Sequence, residues 1–312
     1  LAAKKKTDNL IYLAMLTLVL AANMAIASKT PLKKYINQEY EFYASNLPVL
    51  MNSLSFPVVS AQAVYVVDLE SNVVMYEKNP RGQLLPASTT KIMSAIVALE
   101  NFNLNEDIVI GNQKSAGQKM GLYEREKINI KDVLKGMLIY SGNDAADVLA
   151  DNYPQGRSAF VQEMNRKAKE IGAMNTSFTN PSGLDEYGHF STAQDLVKIA
   201  AYAMKNPIFS EIVNTRQTIV TSTDGKIKHV LSNTNSLLGV VEGVMGIKTG
   251  WTENARENLV TYIERDGHKI ILATLGSQDR FGETREIINW IFSSYKWLNI
   301  NSRQELARSN LL

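Results

Sequence analysis

The chain contains no cysteine. That excludes disulfides, cysteine nucleophiles, thiolate metal sites and a lipid-bearing N-terminal cysteine. Histidine is scarce, with three in 312 residues. His189, His229 and His268 each stand without a second ligand at metal-binding spacing, so neither a metal nor another cofactor is expected. An excess of one charge is also missing. The formal net charge is +2, and the lysines of the first 27 residues account for it. The balanced remainder lacks the basic surface that nucleic acid requires. There is no internal repeat and no low-complexity stretch.

What is present is a 45% apolar chain, enough for a sizeable core and two closely packed subdomains. Its one long apolar run is N-terminal. Lys4-Lys5-Lys6 precede Leu10 to Ala22, and Ala25-Ile26-Ala27 follows. A basic start, an apolar centre and an Ala-x-Ala end predict an export signal over 1–27, cleaved after Ala27 or kept as a membrane anchor. Either way the lysines stay inside and the remainder is exported across the cytoplasmic membrane to the cell envelope or beyond. Residues 28–59 are expected to form a surface arm.

Ala63 to Asp68 and Val73 to Glu77 flank a polar turn and predict a hairpin. The region 101–240 is mainly helical by pattern. Helices are expected over Ile130 to Ile139, from Asp144 to Leu149 and over Ser158 to Ile171, the last stopped by Gly172. Another starts at a capping box, Thr192 to Asp195, and ends before Pro207. A small hairpin is centred on Asp224-Gly225. Strand patterns return at Gly243 to Lys248, Asn258 to Glu264 and Lys269 to Leu275, and Glu283 to Phe292 reads as a final helix. Two strands from the start and three from the end predict an α+β fold. One five-stranded antiparallel sheet, about 60–100 and 241–292, is flanked by helices, with 101–240 as a second, mainly helical lobe. Residues 293–312 are expected to be a tail.

The chemistry gathers around Leu85-Pro86-Ala87-Ser88-Thr89-Thr90-Lys91. Pro86 precedes apolar residues at helical spacing (Ile92, Ala95, Ile96, Leu99), so a buried helix starts near Ala87 or Ser88. A spacing of three puts the Ser88 hydroxyl and the Lys91 amine on one side. A serine activated by a deprotonated lysine is one solution for acyl transfer. Two further sites could complete it. Ser141-Gly142-Asn143 lies at a helix break, with a hydroxyl to relay a proton and an amide to fix a carbonyl or the lysine. Lys248-Thr249-Gly250 is expected at a strand end. Its ammonium and hydroxyl suit a carboxylate, and the glycine admits a substrate backbone. Taken singly, these are a polar turn and a strand end.

Together, Ser88-Thr89-Thr90-Lys91, Ser141-Gly142-Asn143 and Lys248-Thr249-Gly250 resemble the Ser-x-x-Lys, Ser-x-Asn and Lys-Thr-Gly signatures of the active-serine penicillin-recognising superfamily. The surrounding residues are closest to the low-molecular-mass D-alanyl-D-alanine carboxypeptidases. So are Phe178-Thr179-Asn180-Pro181-Ser182-Gly183-Leu184 and Ser191-Thr192-Ala193-Gln194-Asp195-Leu196. The resemblance covers roughly residues 60–292. Two departures stand out. Ser182 replaces the family's usual histidine, in a loop outside the primary signatures. Ala255-Arg256 stands where an Ala-Gly pair is common, and its extra side chain could reshape the adjacent loop.

The resemblance implies catalytic Ser88, Lys91 and Ser141. Asn143, Lys248, Thr249 and Gly250 would bind substrate, and the backbone N–H groups of Ser88 and Trp251 would form an oxyanion hole. The implied partners are a peptidoglycan stem peptide ending in D-Ala-D-Ala and, as covalent inhibitors, β-lactams. Lys91 would need its ordinary pKa lowered by burial, the helix end and a second cation, for which Lys248 is the candidate. Asp144 and Asp147 read as a solvated helix cap rather than an acid–base pair, and the loop Gly117 to Tyr123 could border the cleft. Three alternatives stay open: a D,D-endopeptidase on cross-links, a β-lactamase and a non-enzymatic wall-binding protein. The glutamate loop of class A lactamases has no match, since Glu163 and Glu170 fall in a predicted helix.

Overall fold

A computed structural model describes residues 46–51, 55–112 and 114–298. The expected signal or anchor, most of the arm and the end of the tail lie outside the described residues. In chain order the first elements are strands β1 (Leu47–Leu50), β2 (Ala63–Asp68) and β3 (Val74–Lys78). A 3₁₀ turn (Ala87–Thr90) then feeds helix α1 (Lys91–Asn101). The second lobe holds β4 (Asp107–Val109), β5 (Lys127–Asn129), α2 (Ile130–Leu138), α3 (Asn143–Asp151) and α4 (Gly156–Ile171). It continues through α5 (Ala193–Ala203), α6 (Pro207–Val213), β6 (Gln217–Thr221) and β7 (Lys228–Ser232). The chain returns through β8 (Val244–Thr252), β9 (Arg256–Arg265), β10 (His268–Ser277), α7 (Arg280–Ser294) and β11 (Tyr295–Leu298).

The main sheet runs β3-β2-β10-β9-β8, every neighbouring pair antiparallel. Its side chains alternate between two cores, as period-two geometry requires. Val64, Val66, Leu259, Ile270 and Leu272 join Ile287, Ile288 and Ile291 of α7. Val260, Ile271, Ala273 and Leu275 face the other way, into the core shared with α1 and the helical lobe. Helix α1 is buried on all sides from Lys91 to Ala98. An all-round buried helix sits in a core rather than on a surface, and so the Lys91 amine begins its life desolvated. The β9–β10 turn has positive φ at both Asp266 and Gly267, the primed turn that right-twisted strands prefer.

Several expectations need correction. The lobe over 101–240 is mainly helical, and β6–β7 is the expected hairpin around Asp224-Gly225, but it also carries the β4–β5 pair, which the pattern did not predict. Helix α6 was not anticipated. Pro207 was read as a stop, but it occupies a first-turn position and the Asn206 side chain accepts from Ile208 and Phe209 N–H. The arm and tail are also not featureless, since β1 pairs with β11 and Trp297 stacks on His268 at 4.1 Å between ring centroids. The capping box is half formed. Thr192 Oγ1 accepts from Asp195 N–H, while the Asp195 carboxylate accepts from Asn175 N–H and Thr176 Oγ1 instead. Among the described residues no helix is long and apolar enough to cross a membrane.

Candidate active site

Pro86 and the 3₁₀ turn set the position of Ser88. Thr89 donates through both its N–H and its hydroxyl to the Pro86 carbonyl, at 3.2 and 2.7 Å, which closes the turn tightly before α1 begins. Lys91, three residues on, then returns its side chain toward Ser88, and Nζ lies 2.9 Å from Ser88 Oγ. The same amine reaches Asn143 Oδ1 at 2.6 Å and the Ser182 carbonyl oxygen at 2.6 Å. Lys91 is fully buried, and its pKa is lowered to about 7. Burial is the dominant cause, opposed by the negative charges of Asp147 and Asp144. The second cation near Lys91 is Lys248, and the repulsion between the two disfavours the charged form of each. Lys248, also buried, is held well below the usual lysine range by desolvation and then by the charges of Lys91 and Arg280.

A neutral amine has two N–H donors and one lone pair. With Asn143 Oδ1 and the Ser182 carbonyl as acceptors, the lone pair is left for the Ser88 hydroxyl proton. That arrangement lets the serine lose its proton without a histidine. Asn143 is itself fixed from behind, donating from Nδ2 to the Ala116 carbonyl at 2.7 Å. Ser141, with φ of 66°, opens onto the same cleft.

The sheet side is different. β8 is the edge strand of the main sheet, so part of its backbone is left for a ligand to pair with. Lys248-Thr249-Gly250 lies inside this strand rather than at its end, because β8 runs on to Thr252. An ideal Cβ on Gly250 would come within 2.9 Å of the Pro86 carbonyl oxygen and 3.1 Å of Ser88 N. Glycine here lets the strand pass directly against the serine turn. Lys248 Nζ donates to the Thr249 carbonyl at 3.1 Å, and Thr249 Oγ1 shares a 2.6 Å hydrogen bond with Thr234 Oγ1. Trp251 extends along the cleft wall, 63% exposed.

All the anticipated residues except the two buried lysines line one cleft of about 510 Å³, and Lys91 and Lys248 sit directly behind its floor. Sequence reasoning missed five contributors. The Ser182 carbonyl holds Lys91, so this loop belongs to the site although it lies outside the three signatures. Gly183, at φ of 84°, has no room for a Cβ, which would fall on the Ala87 carbonyl oxygen. Asp144 is not a solvated cap. It is buried and accepts from Met120, Gly121 and Leu122 N–H, which folds the 117–122 loop over the cleft. Asp147 is also buried, bonded to the Ser115 hydroxyl and paired with Arg157 at 2.9 Å.

The fifth is Arg280, whose guanidinium lines the cleft and donates to the Gly250 carbonyl at 2.9 Å. Desolvation lowers its pKa. A signal for it existed, because a cation in the first turn of a helix opposes the dipole and so has another reason to be there. The histidines isolated in sequence are paired in space. His189 bridges Thr90 Oγ1 and Thr179 N–H, and burial lowers its pKa to about 4. His229 meets Glu126 at 2.8 Å. Among the described residues no group of three or more His, Cys, Asp or Glu side chains could hold a metal. Glu163 and Glu170 lie on α4, away from the cleft lining, paired with Arg166. Arg256 adopts φ of 58° with its side chain exposed, so the backbone takes the turn that the more usual glycine would make, and the side chain stays outside the cleft.

Residues 51–279 match the D-alanyl-D-alanine carboxypeptidase family. The chain is 32% identical to D-alanyl-D-alanine carboxypeptidase DacF of Bacillus subtilis over 246 residues, covering 76% of this chain and 63% of that one. It is 31% identical to a D-alanyl-D-alanine endopeptidase of Escherichia coli over 246 residues, 76% and 79% of the two chains. The crystal structure of the Streptomyces K15 DD-transpeptidase superposes with a TM-score of 0.72 at 30% identity, over 77% of this chain and 100% of that one. Matching signatures, sheet order and cleft therefore agree with the family match across three-quarters of the sequence, and the chain belongs to the D-alanyl-D-alanine carboxypeptidase family of penicillin-recognising active-serine hydrolases.

Proposed function

We propose that this chain is a serine-type D-alanyl-D-alanine carboxypeptidase that removes the terminal D-alanine from peptidoglycan stem peptides. Residues 60–292 are its catalytic domain. The reading is carried by one observation: a fully buried Lys91 amine with a pKa of about 7, 2.9 Å from Ser88 Oγ. In this mechanism Ser88 Oγ bonds to the carbonyl carbon of the penultimate D-alanine as its proton passes to Lys91. The oxyanion rests between the N–H groups of Ser88 and Trp251, each worth about 3 kcal/mol in the transition state. The C–N bond then breaks. The proton held by Lys91 passes through the Ser141 hydroxyl to the departing D-alanine amine, which leaves Ser141 protonated and Lys91 neutral again. Lys248 and Thr249, with Arg280, hold the terminal carboxylate, while Gly250 keeps the strand close. Water, activated by the same lysine, hydrolyses the ester and restores Ser88.

The test is the intact mass of the protein after exposure to penicillin, with the modified peptide mapped. We expect one adduct on Ser88, none in Ser88→Ala, and release of D-alanine from a pentapeptide by the unmodified protein. An adduct elsewhere, or one that persists in S88A, overturns the assignment. A second reading, cleavage of cross-links, is favoured by relatives named D-alanyl-D-alanine endopeptidase in Escherichia coli and Pseudomonas aeruginosa, 31% and 30% identical. Products from cross-linked muropeptides, compared with the linear pentapeptide, separate the two. The basic–apolar–small pattern of residues 1–27 supports action in the cell envelope, and fractionation with N-terminal sequencing tests it.

A further inference from the structure

Helix α3 begins with buried polar side chains, Asn143, Asp144 and, one turn on, Asp147. Asn143 touches Lys91 directly. Asp147 follows Asn143 by four residues, so it lies on the same helix face, about 6 Å further along the axis. The two aspartates differ in how their charge is met. Asp144 accepts from four backbone N–H groups, those of Met120, Gly121, Leu122 and Ala145. Asp147 accepts from the Ser115 hydroxyl and pairs with one nitrogen of Arg157 at 2.9 Å. Arg157 belongs to α4, its side chain is 45% exposed, and its other two nitrogens go to Asp151 at 2.7 and 3.0 Å. The charge of Asp147 is therefore answered by one half-exposed cation that it shares.

The same aspartate holds the loop that grips Asn143. Ser115 is tied to Asp147 at one end of that loop, and the amides of 120–122 are tied to Asp144 at the other. Between them the Ala116 carbonyl accepts from Asn143 Nδ2 and the Gln118 carbonyl from Asn143 N–H, each at 2.7 Å. A recess of about 300 Å³ reaches the pair from outside the cleft, lined by Asp147, Arg157 and Ser182 with the charged residues Lys114, Asp185 and Glu186. Burial disfavours the charged form of Lys91, Asp147 and then Asp144 favour it, and Lys248 faces it from β8.

We propose, resting on the peptidase reading above, that Asp147 is a positioning residue for Ser88 acylation, acting on Lys91 through its charge from outside the cleft, and that Arg157 meters that charge. A negative charge favours the protonated amine, so its removal lets the base form appear at lower pH. Removal of the cation that answers it has the opposite sign.

The test is the rate at which penicillin acylates Ser88 in the full chain, measured as a function of pH. In the unmodified protein the acid limb is expected near pH 7. Asp147→Asn keeps an acceptor for Ser115 and loses the charge, so the limb should move down by about one pH unit. Arg157→Met should move it up by about half a pH unit. Ser115→Ala loosens the loop and leaves the charge in place, so the plateau rate should fall about fivefold with the limb unmoved. Opposite displacements in D147N and R157M are a signature that loosened packing alone does not produce. A limb that stays in place in both variants, or moves the same way in both, overturns the assignment, while Ser88 labelling leaves the peptidase reading standing. Where D147N does not fold, R157M decides: an upward limb supports the assignment and an unmoved one overturns it. Absence of Ser88 labelling in the unmodified protein overturns both.

Discussion

On the helical side of the cleft, Lys91, Asn143 and the Ser182 carbonyl meet at 2.6 Å, and two buried carboxylates, Asp144 and Asp147, stand behind them. On the sheet side, the Lys248 amine and the guanidinium of Arg280 from α7 donate to backbone carbonyls of β8, those of Thr249 and Gly250. Both walls hold buried cations, but only one has its charge answered. Burial pulls the Lys91 pKa down while the two aspartates pull it up, and it comes to rest near neutrality, where an amine serves as base and acid in turn. For Lys248, burial and both neighbouring charges push the same way. A wall of that kind gains by taking up an anion. In the proposed mechanism one wall serves proton transfer and the other a carboxylate, and lysine can supply both because its pKa moves so readily with environment.

The largest effect should come from separating the two lysines. Under the proposed mechanism Lys91→Met removes the acceptor of the Ser88 proton, so kcat and the penicillin acylation rate should fall by about 10³- to 10⁴-fold. Lys248→Met should cost about 10²-fold in kcat/KM, expressed mainly in KM for substrates with a free terminal carboxylate. The pH profile sharpens the contrast. The unmodified protein should gain activity as pH rises through about 7, because the base form of Lys91 appears there. That acid limb should persist in K248M and vanish in whatever activity K91M retains. An unchanged acid limb in K91M would sink the division of labour.

A second pair of variants compares how the walls are built. Gly183 carries positive φ, and a Cβ would overlap the Ala87 carbonyl oxygen. Gly183→Ala should therefore destabilise the protein by about 3 kcal/mol or more, measured by denaturant unfolding. Gly250 has ordinary φ, and its hypothetical Cβ meets Pro86 O at 2.9 Å and Ser88 N at 3.1 Å. Gly250→Ala should cost only about 1–2 kcal/mol but should slow acylation, because the strand must retreat from the serine turn. If G250A proves the more destabilising, the sheet wall is the structural one and the contrast is reversed.

The same division explains what could be read from the sequence. The strands from both chain ends, the buried α1 and the three short signatures were legible, because each rests on local spacing: period two, period three to four, or Ser and Lys one turn apart. Lys91 could be marked as a base conditional on burial, and burial was foreseeable from Ile92, Ala95, Ile96 and Leu99. What acts through the backbone was not legible. The Ser182 carbonyl would be there whatever residue stood at 182, so its side chain gave no hint. Asp144 looked like a helix cap because its partners, the amides of 120–122, lie more than twenty residues away, joined by a fold no local pattern encodes. The balance between the two lysines was not legible for a related reason: two buried cations act on each other, and sequence does not say which is better answered by neighbouring carboxylates.

The smallest effect tests that account most directly. Ser182 stands where the family usually has histidine, and a departure beside the nucleophile would suggest altered chemistry if the side chain took part. It does not reach the reacting groups. Ser182 Oγ makes one long contact, 3.4 Å to Asn180 Oδ1, while the carbonyl accepts from Lys91 at 2.6 Å. The loop is shaped by other groups: Asn180 Oδ1 accepts from Gly183 N–H at 2.8 Å, and Ser94 Oγ donates to the Pro181 carbonyl at 2.6 Å. Ser182→Ala should therefore change stability by less than about 0.5 kcal/mol, leave kcat within about twofold and leave the acid limb near pH 7 in place. Ser94→Ala, which removes a donor from the same loop without touching the cleft, should cost about 1 kcal/mol or more. An S182A variant that lost activity tenfold, or moved the acid limb, would show that the side chain and not the carbonyl tunes Lys91, and the helical wall would then be as dependent on residue identity at 182 as the sheet wall is at 248.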